Sequence, residues 1–579
     1  RDRWLAGPPS LEARRQACCH RQQRLTIELS ADSHVPRFIL LDHSLRDTGG
    51  HHYPYAVSVL QAAEAAGFAP ALGTHRDFSA ATGLPPHWLL HALFPAVSYS
   101  RHTLDTQARQ SPHSLLDRLT GPLLARWQHR QRRRHIERFA QACAEFFRRV
   151  PLTEGDVVFL PTASELDLNG LAAFVAAART LPAVHWHAQL HFGIHRDPEW
   201  RRSHAAGKAS ATAMQASLRD VLERCRGIRL SLWCTTEPLA DQYRALQVTD
   251  FEMLPYPVHP LFSDLRRLRL QPQPARIACL GHARREKNRA ILPSLLRSLW
   301  QEVFVPGRAQ LVVQNARASL RTELDACIAQ LASEHPLKAN AAPVDCSAGT
   351  LDQQQYAELV CGSDIGLLLY DARRYHDRCS GVLLEMLVAG VPVVVPAHSW
   401  LSEQIAPANQ DWLEECSRSL AAENRLQPLV PQDGKRFEVP QGSGGFLLTT
   451  TLADNDAGSI KLELTLCGPG STEPFRRSVW LEAPRGRQQC RRLIPVPADC
   501  RTLTVQGGIC LRVDAVMGPL PPLGAIGIAI EDSTEATDAL REILYHIEHY
   551  KQRAARHAPL ATEHCSASGI IERLLGRQR

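Results

Sequence analysis

Four stretches of this chain gather residue types able to hold an anion or stabilise developing charge. In Tyr375-His376-Asp377-Arg378-Cys379-Ser380-Gly381-Val382-Leu383-Leu384-Glu385, the Ser380-Gly381 pair stands where a helix should start. Free N–H groups and the helix dipole favour phosphate at such a point. Glu385 falls about one turn inside, where a carboxylate accepts hydrogen bonds from a ribose diol. Gly281-His282-Ala283-Arg284-Arg285-Glu286-Lys287 places several cations after a strand, suited to clamping a diphosphate. Lysine is scarce, six residues in the whole chain, so Lys287 stands out. Gly49-Gly50 offers backbone N–H groups that no Cβ shields. His185-Trp186-His187, with His191 and His195, gathers imidazoles. No Cys or carboxylate completes a zinc-ligand spacing there, so one histidine lining a cleft is the better reading, and no metal or cofactor is expected.

Stepping outward from these residues, each must lie beyond the carboxyl end of a strand in an open parallel sheet, where ligands bind. Phe38 to Asp42 is a buried-strand run, followed by the Gly49-Gly50 loop and a helix from Tyr55 to Ala66 that Gly67 closes. Further strands are expected at Val157–Leu160, Val184–His187, Arg229–Cys234 and Phe251–Leu254, before a linker punctuated by Pro255, Pro257 and Pro260. A second alternating set takes in Ile277–Leu280, Gln310–Val313, Ile365–Leu369 and Val391–Val395, with a helix through Val382–Leu387 that ends at Gly390. Between Phe437 and Met517 the texture becomes alternating apolar and polar residues between turns, the form of an antiparallel sandwich. The α/β texture returns at Ile526–Ile530, then one long helix over Thr534–Arg556 and a last one over Ser568–Leu575.

The expected fold class is α/β, two Rossmann-like domains with an antiparallel β-sandwich inserted in the C-terminal half. The boundaries read as an extension over 1–35, a first domain over 36–265, a second over 266–418, the sandwich over 436–519, and the completion of the second domain over 524–579.

Composition narrows the function classes. No apolar run approaches a membrane span: the longest, Met386 to Ala397, is cut by Gly390, Pro392 and Pro396. A net charge of +7 over 579 residues is mild and argues against a dedicated nucleic-acid binder. Sixteen cysteines without a CxxC read as buried reduced thiols in a cytoplasmic protein. Residues 126–149 form a basic amphipathic helix, with Arg130, Arg132, Arg133, Arg134 and Arg138 beside Ile136, Phe139, Cys143 and Phe146. It reads first as a solvated face, and otherwise as peripheral contact with an anionic lipid surface on the inner membrane face.

Together the loops resemble a GT-B-fold glycosyltransferase of the family 4 (group 1) type, over residues 36–405 and about 524–579. The run Asp364 to Tyr370, then Tyr375 to Glu385, then Leu387 to Pro396 is similar to that family's strand, acidic-x7-Glu segment and AxGxPVV strand, with Val388 at the Ala position. The resemblance implies a retaining enzyme that moves a sugar from a nucleotide-sugar donor to a glycan or lipid-linked saccharide, without metal and with the leaving phosphate helping to deprotonate the acceptor. It implies that Glu385 holds the ribose and that Asp377, in place of a Glu, lies near the donor sugar. Ser380 and Gly381 would meet the diphosphate with Arg378 beside them. Lys287 would bind phosphate, and Arg284 or Arg285 would supply the charge missing at His282. Gly49-Gly50 matches the first domain's glycine loop, and His187 the cleft residue near the transferred sugar. Two other readings of the same fold are a nucleotide-sugar epimerase and a catalytically degenerate scaffold carrying a carbohydrate-binding sandwich.

Overall fold

The apolar runs pair into two parallel sheets. The first uses β1 (Arg37–Asp42), β2 (Ala69–His75), β3 (Leu89–Phe94), β4 (Val157–Ala163), β5 (His185–Leu190), β6 (Arg229–Cys234) and β7 (Glu252–Met253), in the order β3-β2-β1-β4-β5-β6-β7. The second uses β8 (Ala275–Cys279), β9 (Ala309–Val313), β10 (Val344–Asp345), β11 (Ile365–Leu367) and β12 (Val393–Pro396). Two antiparallel sheets follow, built from β13 (Leu426–Pro428), β14 (Arg436–Glu438), β15 (Ser443–Thr451), β16 (Ser459–Cys467), β17 (Phe475–Glu482), β18 (Gln489–Pro495), β19 (Thr502–Gln506) and β20 (Leu511–Met517). They run β13-β20-β15-β18 and β14-β19-β16-β17 and bury Phe446, Leu464, Val479 and Leu503 between them. Then β21 (Gly527–Ile530) pairs parallel with β12 and completes the second sheet, order β10-β9-β8-β11-β12-β21. The chain is therefore two Rossmann-like units, the second interrupted by a sandwich, as the sequence pattern predicts. This computed structural model describes residues 35–576 except 49–51, 80–82, 96–114, 179, 196–203, 267–273, 282–283, 339–341, 348, 350, 433–434, 452–458, 469–474, 497–499 and 507–510.

The expected long helix over Thr534–Arg556 is two helices, Ala536–Tyr545 and Ile547–His564, with His546 leaving helical geometry between them. The reason is packing. Leu540 and Ile543 bury against the second sheet's core, whereas Ala554 and Ala561 bury in the core around the helix Gly381–Ala389. The second helix starts on the second sheet's core, with Ile547 and Tyr550, before passing to the other.

That second core joins the units: Tyr55, Tyr256, Leu383 and Ile570 share it. The helix Ala567–Leu574 lies on the helix His52–Ala65, and the Val258 N–H donates to the Cys565 carbonyl (3.0 Å). The sandwich is fixed to the second unit by Glu482, which accepts from the His398 N–H (2.6 Å) and the Ser402 hydroxyl (2.6 Å). It reaches the first unit through Arg485, 2.8 Å from Asp241.

The helix Leu115–Arg149 covers the first sheet with Phe139, Cys143 and Phe146. Arg132 pairs with Glu165 and Arg133 with Glu137, while Arg126, Arg130, Arg134 and Arg138, one turn apart, are exposed and form no ion pair with a described residue. No described helix is long and apolar enough to cross a membrane. The described cysteines are all free thiols.

Candidate functional site

At the carboxyl end of β8 the chain turns through Gly281 at φ +86°, a left-handed conformation that favours glycine. A Cβ there would meet Lys287 Nζ at 2.5 Å and Val382 Cγ2 at 3.5 Å. The turn thus presses Lys287 against the first turn of the helix Gly381–Ala389. Ser380 caps that helix, its hydroxyl accepting from the Leu383 N–H (3.3 Å). Lys287 Nζ donates to the Leu280 carbonyl (3.3 Å) and lies 4.8 Å from the Tyr370 ring centre. Burial pushes its ammonium below the ordinary lysine range.

Behind it, among the described residues the buried Arg289 guanidinium donates only to backbone carbonyls, those of Gln314 (2.6 Å), Gly281 (2.8 Å) and Cys279 (3.3 Å). The Gly281 N–H in turn donates to Gln314 Oε1 (2.8 Å). Neither Lys287 nor Arg289 forms an ion pair with any described carboxylate. Glu385 faces Lys287 from the helix. Its Oε2 accepts from the Tyr356 hydroxyl (2.8 Å), and burial pushes its carboxyl up to about 7 against the pull of that hydroxyl and the Lys287 charge.

Asp377 lies at the seam between the units. Gln242, on the first unit's helix Glu237–Arg244, donates from Nε2 to Asp377 Oδ2 (2.9 Å). The same amide's Oε1 accepts from the N–H groups of Ile194 (2.9 Å) and His195 (3.1 Å), in the loop after β5. The Thr236 hydroxyl donates to the Asp377 carbonyl (2.6 Å), and the carboxylate packs so closely on Gly193 that no Cβ would fit there. Burial raises the Asp377 carboxyl, opposed by the His376 and Arg378 charges and the Gln242 amide. Arg378 is half-buried beside it, and Arg284 is exposed at the Gly281 turn.

At the first unit's carboxyl edge, Asp42 ends β1 and holds His52 Nδ1 at 2.9 Å. Against the burial that would raise it, His52 keeps the Asp42 carboxyl below its usual range. His191, just past β5, donates to the Pro161 carbonyl (2.5 Å), and burial depresses it to about 4. Deeper, Asp167 lies 2.6 Å from His135 Nε2 and 3.4 Å from His43 Nε2, all three fully buried.

His187 lies away from this edge. It sits inside β5, wholly buried, with Nδ1 accepting from the Trp233 Nε1–H (3.1 Å), and burial with the charges of His185 and Arg229 depresses it to about 2. The histidine at the mouth of β5 is His191.

No family model matches the chain, and no curated protein matches it. Among solved structures it is similar to trehalose-6-phosphate synthase OtsA, at 12% identity and TM-score 0.42 over 64% of this chain and 87% of that one. It is similar to an α,α-trehalose-phosphate synthase (UDP-forming) from Burkholderia xenovorans in complex with glucose-6-phosphate, at 12% identity and TM-score 0.42 over 64% and 87%. The N-terminal domain of Candida albicans trehalose-6-phosphate phosphatase is similar at 12% identity and TM-score 0.39, over 66% and 86%.

Of the sequence-predicted site, Lys287 lies at the Gly281 turn against the helix that Ser380 and Gly381 open and that carries Glu385. Gly49, Gly50, His282 and the Arg285 side chain lie outside the described residues. Sequence reasoning missed Arg289, Gln242, Tyr356 and the Asp42–His52 pair. Asp42 carried a usable signal, since it is the last residue of a strand whose carboxyl end was already expected to bind ligand. Gln242 and Tyr356 carried none, because their partners are brought in from distant segments.

Proposed function

We propose that this chain is a retaining glycosyltransferase that transfers a sugar from a nucleoside-diphosphate sugar to a saccharide acceptor. One observation carries the reading: two buried cations, Lys287 and Arg289, stand without a carboxylate partner among the described residues, beside a glycine turn and a helix N-terminus. Burying unpaired cations is costly, so a site built this way is completed by an anion. A diphosphate meets both the Lys287 ammonium and the free N–H groups at Gly381. When the sugar–phosphate bond breaks, negative charge grows on the leaving diphosphate. A preorganised ammonium and amides stabilise that charge more than the ground state. Glu385, ionised above about pH 7, accepts hydrogen bonds from the ribose hydroxyls.

Asp377 takes a positioning role in this reading. Its carboxylate and carbonyl are both held by the first unit, so it clasps the units over the donor, and Arg378 extends from the same clasp. Acceptor binding falls to the first unit's edge around Asp42, His52 and His191, with the Gly49-Gly50 loop between them in sequence. His187 supports β5 from within. No resident metal or cofactor is part of the reading, because the chain supplies its own cations. Membership of family 4, a glycan or lipid-linked acceptor and work in polysaccharide biosynthesis belong to the same proposal. So does a cytoplasmic location, with peripheral contact with anionic lipid through the arginines from Arg126 to Arg138.

Incubation with a panel of nucleotide sugars, following diphosphate release and acceptor labelling, tests the reading. Diphosphate release with labelled acceptor is expected. Donor interconversion without transfer would establish the epimerase, and binding without turnover the degenerate scaffold.

A further inference from the structure

A second cavity lies elsewhere, in a cleft of about 1580 Å³ between the second Rossmann-like unit and the sandwich. That exceeds the roughly 300–1,000 Å³ of pockets for compact small molecules, so its shape suits an extended ligand. One wall is the edge strand β17, with Phe475 on one of its faces and Arg476 and Trp480 on the other; the opposite wall is the helix Ala536–Tyr545 with the loop after β21.

Its lining is unusual for this protein. Among the described residues only three large aromatic side chains are strongly exposed, Trp127, Phe475 and Tyr545. Two of these, Phe475 (56% exposed) and Tyr545 (84%), stand in this cleft. Exposed aromatic faces beside a binding cavity mark a surface that ligand covers. Arg476 is exposed with no partner among the described residues, whereas Glu531 and Glu535 are held by Arg477 and Arg492 and so present a fixed polar floor. Trp480 is held flat against His398, ring centres 3.9 Å apart. Flat rings for the C–H faces of sugars, with guanidinium and carboxylate groups for their hydroxyls, are the recognition chemistry of a saccharide.

The cleft also runs toward the donor pocket. Ala372 and Arg373 are among its lining residues. The preceding residue, Asp371, donates its N–H to the Glu286 carbonyl (2.8 Å), next to Lys287. On the other side, the Tyr375 carbonyl accepts from the Trp400 N–H (2.8 Å), two residues before Asp377.

We propose that this cleft binds an extended oligosaccharide and holds the remote sugars of the acceptor while its near end reaches the donor pocket past Ala372 and Arg373. The proposal rests on the glycosyltransferase reading for the word acceptor, and on the cleft alone for the binding. The test is a glycan array of neutral and acidic oligosaccharides probed with the full chain and no nucleotide, beside the donor-turnover assay. At least one oligosaccharide of four or more sugars should bind. Its affinity should fall about tenfold in Phe475→Ala and in Tyr545→Ala, and stay unchanged in Lys287→Ala. Both aromatics are exposed, and thermal melts check that the variants remain folded. Binding to no saccharide on the array, or binding that ignores both aromatic substitutions, would overturn the cleft. Binding that stands while every donor is inert keeps the cleft and removes the transfer reading. Donor turnover without array binding does the reverse.

Discussion

At the carboxyl edge of the first sheet, the buried carboxylates sit against imidazoles, Asp42 with His52 and Asp167 with His43 and His135. At the same edge of the second sheet, Lys287 and Arg289 are buried with carbonyl oxygens for company and no described carboxylate in ion-pair range. The two units share a chain path and differ in what they leave unfinished. The first edge is neutralised from within. In the proposed reading the second is completed by a ligand, the charged leaving group. Stability and activity should therefore respond oppositely to substitution at the two edges.

The largest effect should be catalytic and confined to the second edge. Lys287→Ala should lower kcat/KM about 10²–10³-fold with the circular dichroism spectrum unchanged. A rate within a few-fold of the parent would break the contrast. Next comes the first edge, where Asp167→Asn should lose about 3 kcal/mol in denaturant unfolding, because two imidazoles lose their buried anion. The sign with pH follows from the two shifts. Asp167 is held below its ordinary 3.8, so its contribution is in place above that pH and lost as pH falls. His43 is raised above 6.5, so its contribution is in place below that pH and lost as pH rises further. The penalty of Asp167→Asn should be widest between about pH 4 and 6.5.

A smaller effect should separate Glu385 from Lys287. The parent's donor KM should fall as pH rises through about 7, while Glu385→Gln should raise KM about tenfold at alkaline pH and flatten the profile. Smallest, and of opposite sign to Asp167→Asn, Lys287→Met should stabilise the ligand-free protein by about 1 kcal/mol, since it removes a buried unpaired cation. Destabilisation instead would show that the second edge is already satisfied.

Much of this was legible in the sequence. β1, β4, β8 and β9 are short, largely apolar runs suited to burial, and the return of α/β texture at Ile526 revealed that the sandwich interrupts a unit. β2 was not legible. Its segment Ala69–His75 carries Pro70, Ala71 and Gly73 and reads as a loop; it becomes a strand because β1 and β3 flank it. The candidate set of Lys287, Ser380, Gly381 and Glu385 could be read because each follows a strand or lies at or within one turn of a helix start in its own segment. Gln242 could not, since its role exists only once the helix Glu237–Arg244 meets Asp377 across the seam. His187 illustrates the reverse: its alternation in β5 points it into the sheet's cover, which a strand-end reading overlooked.

The helix Ala567–Leu574 lies on the helix His52–Ala65, made roughly 500 residues earlier. Its Ile570, Ile571 and Leu574 belong to the same apolar core as Tyr55, Leu60 and Phe38. During synthesis the first unit therefore leaves the ribosome with one face uncovered, and waits through translation of the second unit and the sandwich for its cover. Until the roughly 500 residues between the two helices have been made, a nascent chain of this protein carries that hydrophobic face open.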